Sequence, residues 1–204
     1  FCARYSVSEN VFFLTVFNMC ISIFSDCNDT ISTSIHNGRT DSRWGRVAGC
    51  FFVTYNFRAK FGKKMSLSKI LSSNAKQIMD TMCCRMNNLH ADEMFFQYQG
   101  DLLDFDTLGG APVEHIPLQL DSLPFHLMVH LRGNEYMYEL RFWENRFCRE
   151  QLQVFMDVMD SLLSACLDHD VVGHIRRCIP ENLLTKDKSV SATELENAGC
   201  KLTD

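Results

Sequence analysis

From Val11 to Phe24 the chain runs through fourteen residues that are apolar on nearly every face, interrupted only by Thr15, Asn18 and Ser22. A helix hydrophobic all round has to be buried. A membrane-spanning helix needs about 20 such residues, so this one is read as a core helix around which the rest must wrap. In front of it, Ser6-x-x-Glu9 has the pattern of a capping box and predicts a helix from about Val7 to Ser25. No basic stretch precedes the apolar run, which argues against a signal peptide. The first residue is Phe rather than Met, which fits either a piece of a longer chain or a true start that is disordered.

Beyond this helix, strand and helix signals alternate. Asn28-Asp29 stops the first helix, and Ile31 to Ile35 alternates apolar with polar residues as a strand does. Asn37-Gly38 breaks that strand, and 40–46 is polar and loop-like. Cys50 to Phe57 is aromatic, β-branched and almost continuously hydrophobic, which predicts a central strand buried on both faces. Gly62-Lys63-Lys64 reads as a turn, after which Ser66 is expected to cap a helix with Leu67, Ile70, Leu71, Ala75, Ile78, Met79 and Met82 on one face. Met94 to Tyr98 reads as a strand and Gly100 to Pro112 as a loop. Phe125 to Leu131 and Tyr136 to Phe142 are expected to pair as a hairpin across Arg132-Gly-Asn-Glu135. A long helix is predicted from about Cys148 to Leu167 and a short one within Asp170 to Cys178. Residues 1–179 are expected to form one domain, and 180–204, polar and without aromatics, to be a linker or tail towards a following domain.

The 204 residues are 46% hydrophobic with 16 Phe, enough apolar surface to exclude disorder for most of the chain. Twenty basic residues against 25 acidic ones leave no surplus for a dedicated nucleic-acid surface. Ten cysteines lack any C-x-x-C pair, so zinc and thioredoxin spacings are absent. Cys20, Cys50 and Cys166 fall in apolar stretches, where a thiol behaves as a small hydrophobe. A reducing, cytoplasmic setting is expected, without a membrane anchor.

Few residues nominate chemistry. The nucleophile elbow, the P-loop, G-x-G-x-x-G and H-E-x-x-H are missing. His126 and His130 share a strand face but stand about 13 Å apart, too far to hold one metal. They read as partly exposed strand histidines. Asp168-His169-Asp170 sits at a helix C-terminus and reads as capping. No cysteine has a base nominated by spacing. No catalytic residue and no metal ligand is therefore assigned. Asn37-Gly38-Arg39 is more informative: Gly38 permits an unusual backbone angle or a close approach. Arg39 is either a bidentate carboxylate partner or an exposed turn arginine.

Three segments in order carry a family resemblance: Ile31-S-T-S-I-H-N-G-R39, Ala48-G-C-F-F-V-T-Y-N-F-R58 and Phe95-F-Q-Y-Q99. They resemble a strand ending in Gly-Arg, an "IGxFVNTxxxR"-like strand and an "FNYQ"-like strand. All three are features of the C-terminal subdomain of condensation domains in nonribosomal peptide synthetases. The resemblance spans about residues 8–180. It implies an α/β chloramphenicol-acetyltransferase-like sandwich, with a mixed β-sheet and packed helices.

The same resemblance implies amide bond formation between carrier-bound aminoacyl and peptidyl thioesters, in a channel between two subdomains. No metal is implied, and no cofactor is bound directly, since substrates arrive on the phosphopantetheine of carrier proteins. Implied partners are the N-terminal condensation subdomain, peptidyl or acyl carrier proteins and a neighbouring adenylation domain. The family's HHxxxDG motif belongs to the N-terminal subdomain and is absent here, so this segment alone is expected to be inactive. The family's "HQDxPFE"-like segment is not recognisable either, so epimerisation and cyclisation relatives fit equally well. Carried over, Arg39 would pair with the aspartate of the missing motif. Gln97 and Gln99, on one strand face, would line the channel; the residues alone are equally read as a partly exposed strand face. Two other readings stand beside this one. The chain could be a non-catalytic binding or scaffold half-domain. It could also be an acyltransferase completed between protomers, although His36, His90 and His115 lie in no convincing motif.

Overall fold

Ser8, not Ser6, starts the first long helix. In the computed structural model a short helix, α1 (Cys2–Tyr5), ends on Ser6 in the left-handed region at φ 53°, a conformation no N-cap adopts. Ser8 is extended and its hydroxyl accepts from the Val11 amide at 3.3 Å, opening α2 (Glu9–Phe24). The structure describes residues 1–39, 41–83, 93–102, 104, 106–114 and 123–185.

Every residue from Val11 to Cys20 is buried, as all-round hydrophobicity requires. The three polar residues inside the apolar run are each engaged. Thr15 Oγ1 donates to Val11 O at 2.7 Å and accepts from Asn74 Nδ2 at 2.9 Å. Asn18 Nδ2 donates to Ser32 Oγ at 2.9 Å, while Asn18 Oδ1 accepts from Thr30 Oγ1 at 3.1 Å. Ser22 Oγ donates to Cys27 O and accepts from Arg176 Nη2, both at 2.6 Å. Buried polar groups left unpaired would each cost about 1–3 kcal/mol, so these partners fix where the helix sits.

Around α2 lies a five-stranded sheet in the order β2-β1-β3-β6-β7. Its members are β1 (Asp29–His36), β2 (Val53–Lys60), β3 (Phe95–Gly100), β6 (Phe125–Arg132) and β7 (Glu135–Phe142). A separate small hairpin, β4 (Thr107–Leu108) and β5 (Ala111–Pro112), turns at Gly109-Gly110, inside a stretch that reads as loop in the sequence. The β1–β3 and β3–β6 pairs are parallel, whereas β1–β2 and β6–β7 are antiparallel. The expected mixed sheet with packed helices is therefore present.

Cys50–Phe57 departs from expectation. The strand is β2, at an edge of the sheet, and only alternate residues (Tyr55, Phe57, Ala59) are buried. Cys50 and Phe52 are exposed. The edge is blunted by Gln77, whose side-chain amide accepts from Arg58 N at 2.9 Å and donates to Arg58 O at 2.8 Å. That imitates a sixth strand at one position. Cys20 and Cys166 are buried as expected, and burial raises both thiol pKa values, Cys166 to about 12.

The helices α3 (Leu67–Cys83) and α4 (Arg149–Asp168) flank α2. Two short helices, α5 (Val172–Arg177) and α6 (Glu181–Thr185), complete the chain to the end of the described residues. The apolar centre is aromatic: the Phe17 ring lies 5.4 Å from Phe96, 6.0 Å from Phe125 and 6.0 Å from Phe155.

The start of α3 is capped from far away. Asp170 Oδ1 accepts from Ser68 N at 2.9 Å and Oδ2 accepts from Ser66 Oγ at 2.6 Å. The Asp170 carboxylate thus serves the N-terminus of α3 rather than the end of its own helix. Burial pushes its pKa up, but the Ser66 and Ser68 hydrogen bonds outweigh this and leave it below the ordinary value. Asp170→Ala is expected to cost about 1–2 kcal/mol, the usual worth of an N-cap. Because the folded pKa is depressed, that contribution is present above the unfolded value of about 3.9 and fades as pH falls below it. Paired urea melts of wild type and variant should differ at pH 7 and converge below pH ~4. A gap that persists unchanged in acid would contradict the charge-assisted cap.

Candidate functional site

Alternation along the strands divides the sheet into two chemically different faces. Residues 30, 32 and 34 of β1, 55, 57 and 59 of β2, 96 of β3 and 125, 127 and 129 of β6 are all buried on the helix side. Parity places Thr33, Asn56, Phe95, Gln97, Gln99, His126, His130, Glu139 and Arg141 on the other face. Those polar side chains are half-buried rather than solvated, except for Thr33, which is buried. A face that is polar, half-shielded and away from the helical core is the candidate surface.

Gln97 and Gln99 share this face as expected, and Gln97 Nε2 donates to Gln99 Oε1 at 2.6 Å. Beside them, β6 and β7 bring together a cluster that sequence spacing did not nominate. Glu139 Oε1 accepts from Arg141 Nε at 2.7 Å, and Glu139 Oε2 lies 3.4 Å from His130 Nε2. His126 packs edge-on against Phe95 with ring centroids 4.8 Å apart. Burial, with the Arg141 charge adding to it, pushes the His126 pKa down to about 4 despite the opposing pull of Glu139. Its imidazole is therefore neutral at neutral pH. His126 Nε2 is out of solvent without a hydrogen-bond partner among the described residues. The neutral His126 imidazole and the Gln97 and Gln99 amides can hydrogen-bond an uncharged thioester or amide.

The hairpin turn at Gly133-Asn134 fixes the pairing of His126 with Arg141 and of His130 with Met137, so the Glu139–Arg141 neighbourhood is readable from the sequence once that turn is accepted. The approach of Gln97 and Gln99 is not. It depends on β3 pairing in parallel with β6, with a bulge between Tyr98 and Gly100.

Gly38 and Arg39 follow the C-terminal end of β1. Because β1 and β3 run parallel with Thr33 opposite Phe95, this is also the end of the sheet where Gln97 and Gln99 lie. Gly38 has φ +64°, and a Cβ there would lie 1.6 Å from the Phe51 carbonyl oxygen. Its amide donates to His36 Nδ1 at 3.0 Å, so the lone pair of that nitrogen is already used. The Arg39 guanidinium stacks 4.4 Å above the Phe51 ring and donates from Nη1 to the carbonyls of Trp44 and Val47 (2.9 Å for the latter). Nη2 donates to Gly49 O at 3.2 Å. All of these acceptors are backbone carbonyls, not a carboxylate. Among the described residues Nε makes no hydrogen bond, so the guanidinium keeps a donor for a further acceptor. His90 and His115 lie outside the described residues.

Among the described residues no group of three His, Cys, Asp or Glu side chains could hold a metal ion, and no helix is long and apolar enough to cross a membrane.

The fold is that of condensation and epimerisation domains. A four-domain nonribosomal peptide synthetase, crystallised with AMP and glycine, superposes with TM-score 0.70 at 13% identity, over 86% of this chain and 16% of that one. The first condensation domain of the CDA synthetase gives TM-score 0.65 at 7% identity, covering 84% of this chain and 42% of its own. The epimerization domain from the third module of tyrocidine synthetase B gives 0.62 at 12%, covering 91% and 44%. The chain thus spans less than half the length of such a domain. No family model matches the sequence, and no curated protein does.

Proposed function

We propose that residues 1–179 are the C-terminal subdomain of a condensation domain and that 180–204 lead towards a following domain. In the parent protein the activity is amide bond formation between carrier-bound thioesters. This segment contributes a channel wall and a carrier-protein surface, and the histidine motif comes from the other subdomain. The observation that carries the reading is the half-buried polar sheet face centred on Gln97 and Gln99. A face of that kind suits packing against a second lobe while hydrogen-bonding an uncharged acyl substrate. The free Nε donor of Arg39 supports a role in holding the aspartate of the partner lobe's motif. Fold neighbours include both condensation and epimerisation domains, so no subtype is proposed.

The test begins with the intact mass of the natural protein. A mass several times 23.5 kDa, with HHxxxDG encoded upstream of Phe1, is expected. In that protein Gln97→Leu/Gln99→Leu should slow acyl transfer between carrier proteins about tenfold, the worth of one or two hydrogen bonds, with thermal stability retained. A natural chain near 23.5 kDa would sink the proposal. A binding half-domain would then be the better description.

A further inference from the structure

On another part of the molecule, the turn between β2 and α3 meets α5 across a cleft of about 460 Å³ lined by Lys63, Lys64, His174, Arg176 and Arg177. The two segments are stitched together by backbone hydrogen bonds. Gly173 N donates to Lys63 O at 2.9 Å, and Val172 N donates to Met65 O at 3.1 Å. A Cβ on Gly173 would come within 2.7 Å of that Lys63 oxygen, so the approach requires glycine. The first amides of α5 are spent on these bonds and on Val171 O, so any attraction for an anion comes from the side chains.

No Asp or Glu is among the described lining residues, and none of the four Lys and Arg side chains forms an ion pair among the described residues. Arg177 Nε donates to Gly173 O at 3.0 Å. Arg176 Nη2 donates to Ser22 Oγ, yet Arg176 Nε is out of solvent with no acceptor among the described residues. Desolvation weighs on that guanidinium more than the field of Asp26 relieves it. A chain of net charge −5 has gathered two lysines and two arginines at one concave place and left a buried donor open.

We propose that this cleft binds a phosphoryl-bearing small molecule. The cationic residues come from two segments and line a volume within the usual range of small-ligand pockets, larger than a lone phosphate fills. Arginine forks suit the tetrahedral oxygens of a phosphate, and lysines add unspecific charge. A spread acidic polypeptide would instead want a flat basic surface.

The test uses the full chain, titrated calorimetrically with inorganic pyrophosphate, with ADP and with an acidic peptide of equal charge, all at matched ionic strength. Saturable binding of pyrophosphate or ADP is expected, weakened at least tenfold in Lys63→Gln/Lys64→Gln. Both lysines are exposed, so the variant should melt like wild type. Tighter binding of ADP identifies a ligand with an organic body, and equal binding identifies the free anion; both support the proposal. No heat beyond that of matched sodium chloride, unchanged affinity in the variant, or tighter binding of the peptide than of either phosphate would each overturn it.

Discussion

Phe17→Ala should be the most damaging single truncation, lowering unfolding free energy by about 3–5 kcal/mol and the melting temperature by roughly 6–20 °C. The ring has no exposed surface and touches Phe96, Phe125 and Phe155, so its loss opens a cavity where α2, β3, β6 and α4 meet. Four elements cannot relax together into one void, which places the cost at the upper end of the large-to-small range. Urea denaturation of the two proteins reads this directly, with the m-value unchanged and the midpoint lowered. Phe17→Leu should fall between them. A loss below about 1 kcal/mol would mean that the aromatic cluster closes over the gap and that α2 is less firmly fixed than its burial indicates.

The second large effect is expected at Gly38. Alanine there is strained at φ +64° and also drives its Cβ into the Phe51 carbonyl oxygen. Strain and overlap together predict a loss of about 2–4 kcal/mol. Gly110→Ala is the internal control, since its φ of +87° is also unfavourable but nothing stands within 4 Å of the new atom. It should cost about 1 kcal/mol. Trp44 stacks with Phe51 at 6.0 Å, so Trp44 emission reports whether the Arg39 cradle survives. Gly38→Ala should change that emission and Gly110→Ala should not. Equal stability losses in the two variants would show that the close approach to Phe51 carries no weight.

Much of the architecture is legible from residue patterns. The all-round apolar run forces a buried helix, and the β6–β7 hairpin follows from its turn residues. Both depend on neighbours in sequence. What stays illegible depends on distant partners. Ser66 looks like the cap of α3, but the carboxylate that completes the cap is Asp170, 102 residues away from Ser68. Cys50–Phe57 looks central because its hydrophobicity is nearly continuous, whereas Phe51 serves the Arg39 cradle and Phe52 is exposed. Local composition does not distinguish a residue buried in the core from one stacked under a guanidinium. The candidate face shows the same limit. Parity places Gln97 with Gln99, and only the parallel pairing of β3 with β6 brings both beside the histidines.

The polar residues of α2 also bear on how such a chain changes over time. Thr15, Asn18 and Ser22 each answer to a different element, through Asn74 on α3, Ser32 on β1 and Arg176 on α5. A change at one end of any of these pairs strands the other end in the interior. Positions 15 and 74, 18 and 32, and 22 and 176 should therefore drift as couples. The apolar residues between them can be exchanged more freely, so long as their volume is kept.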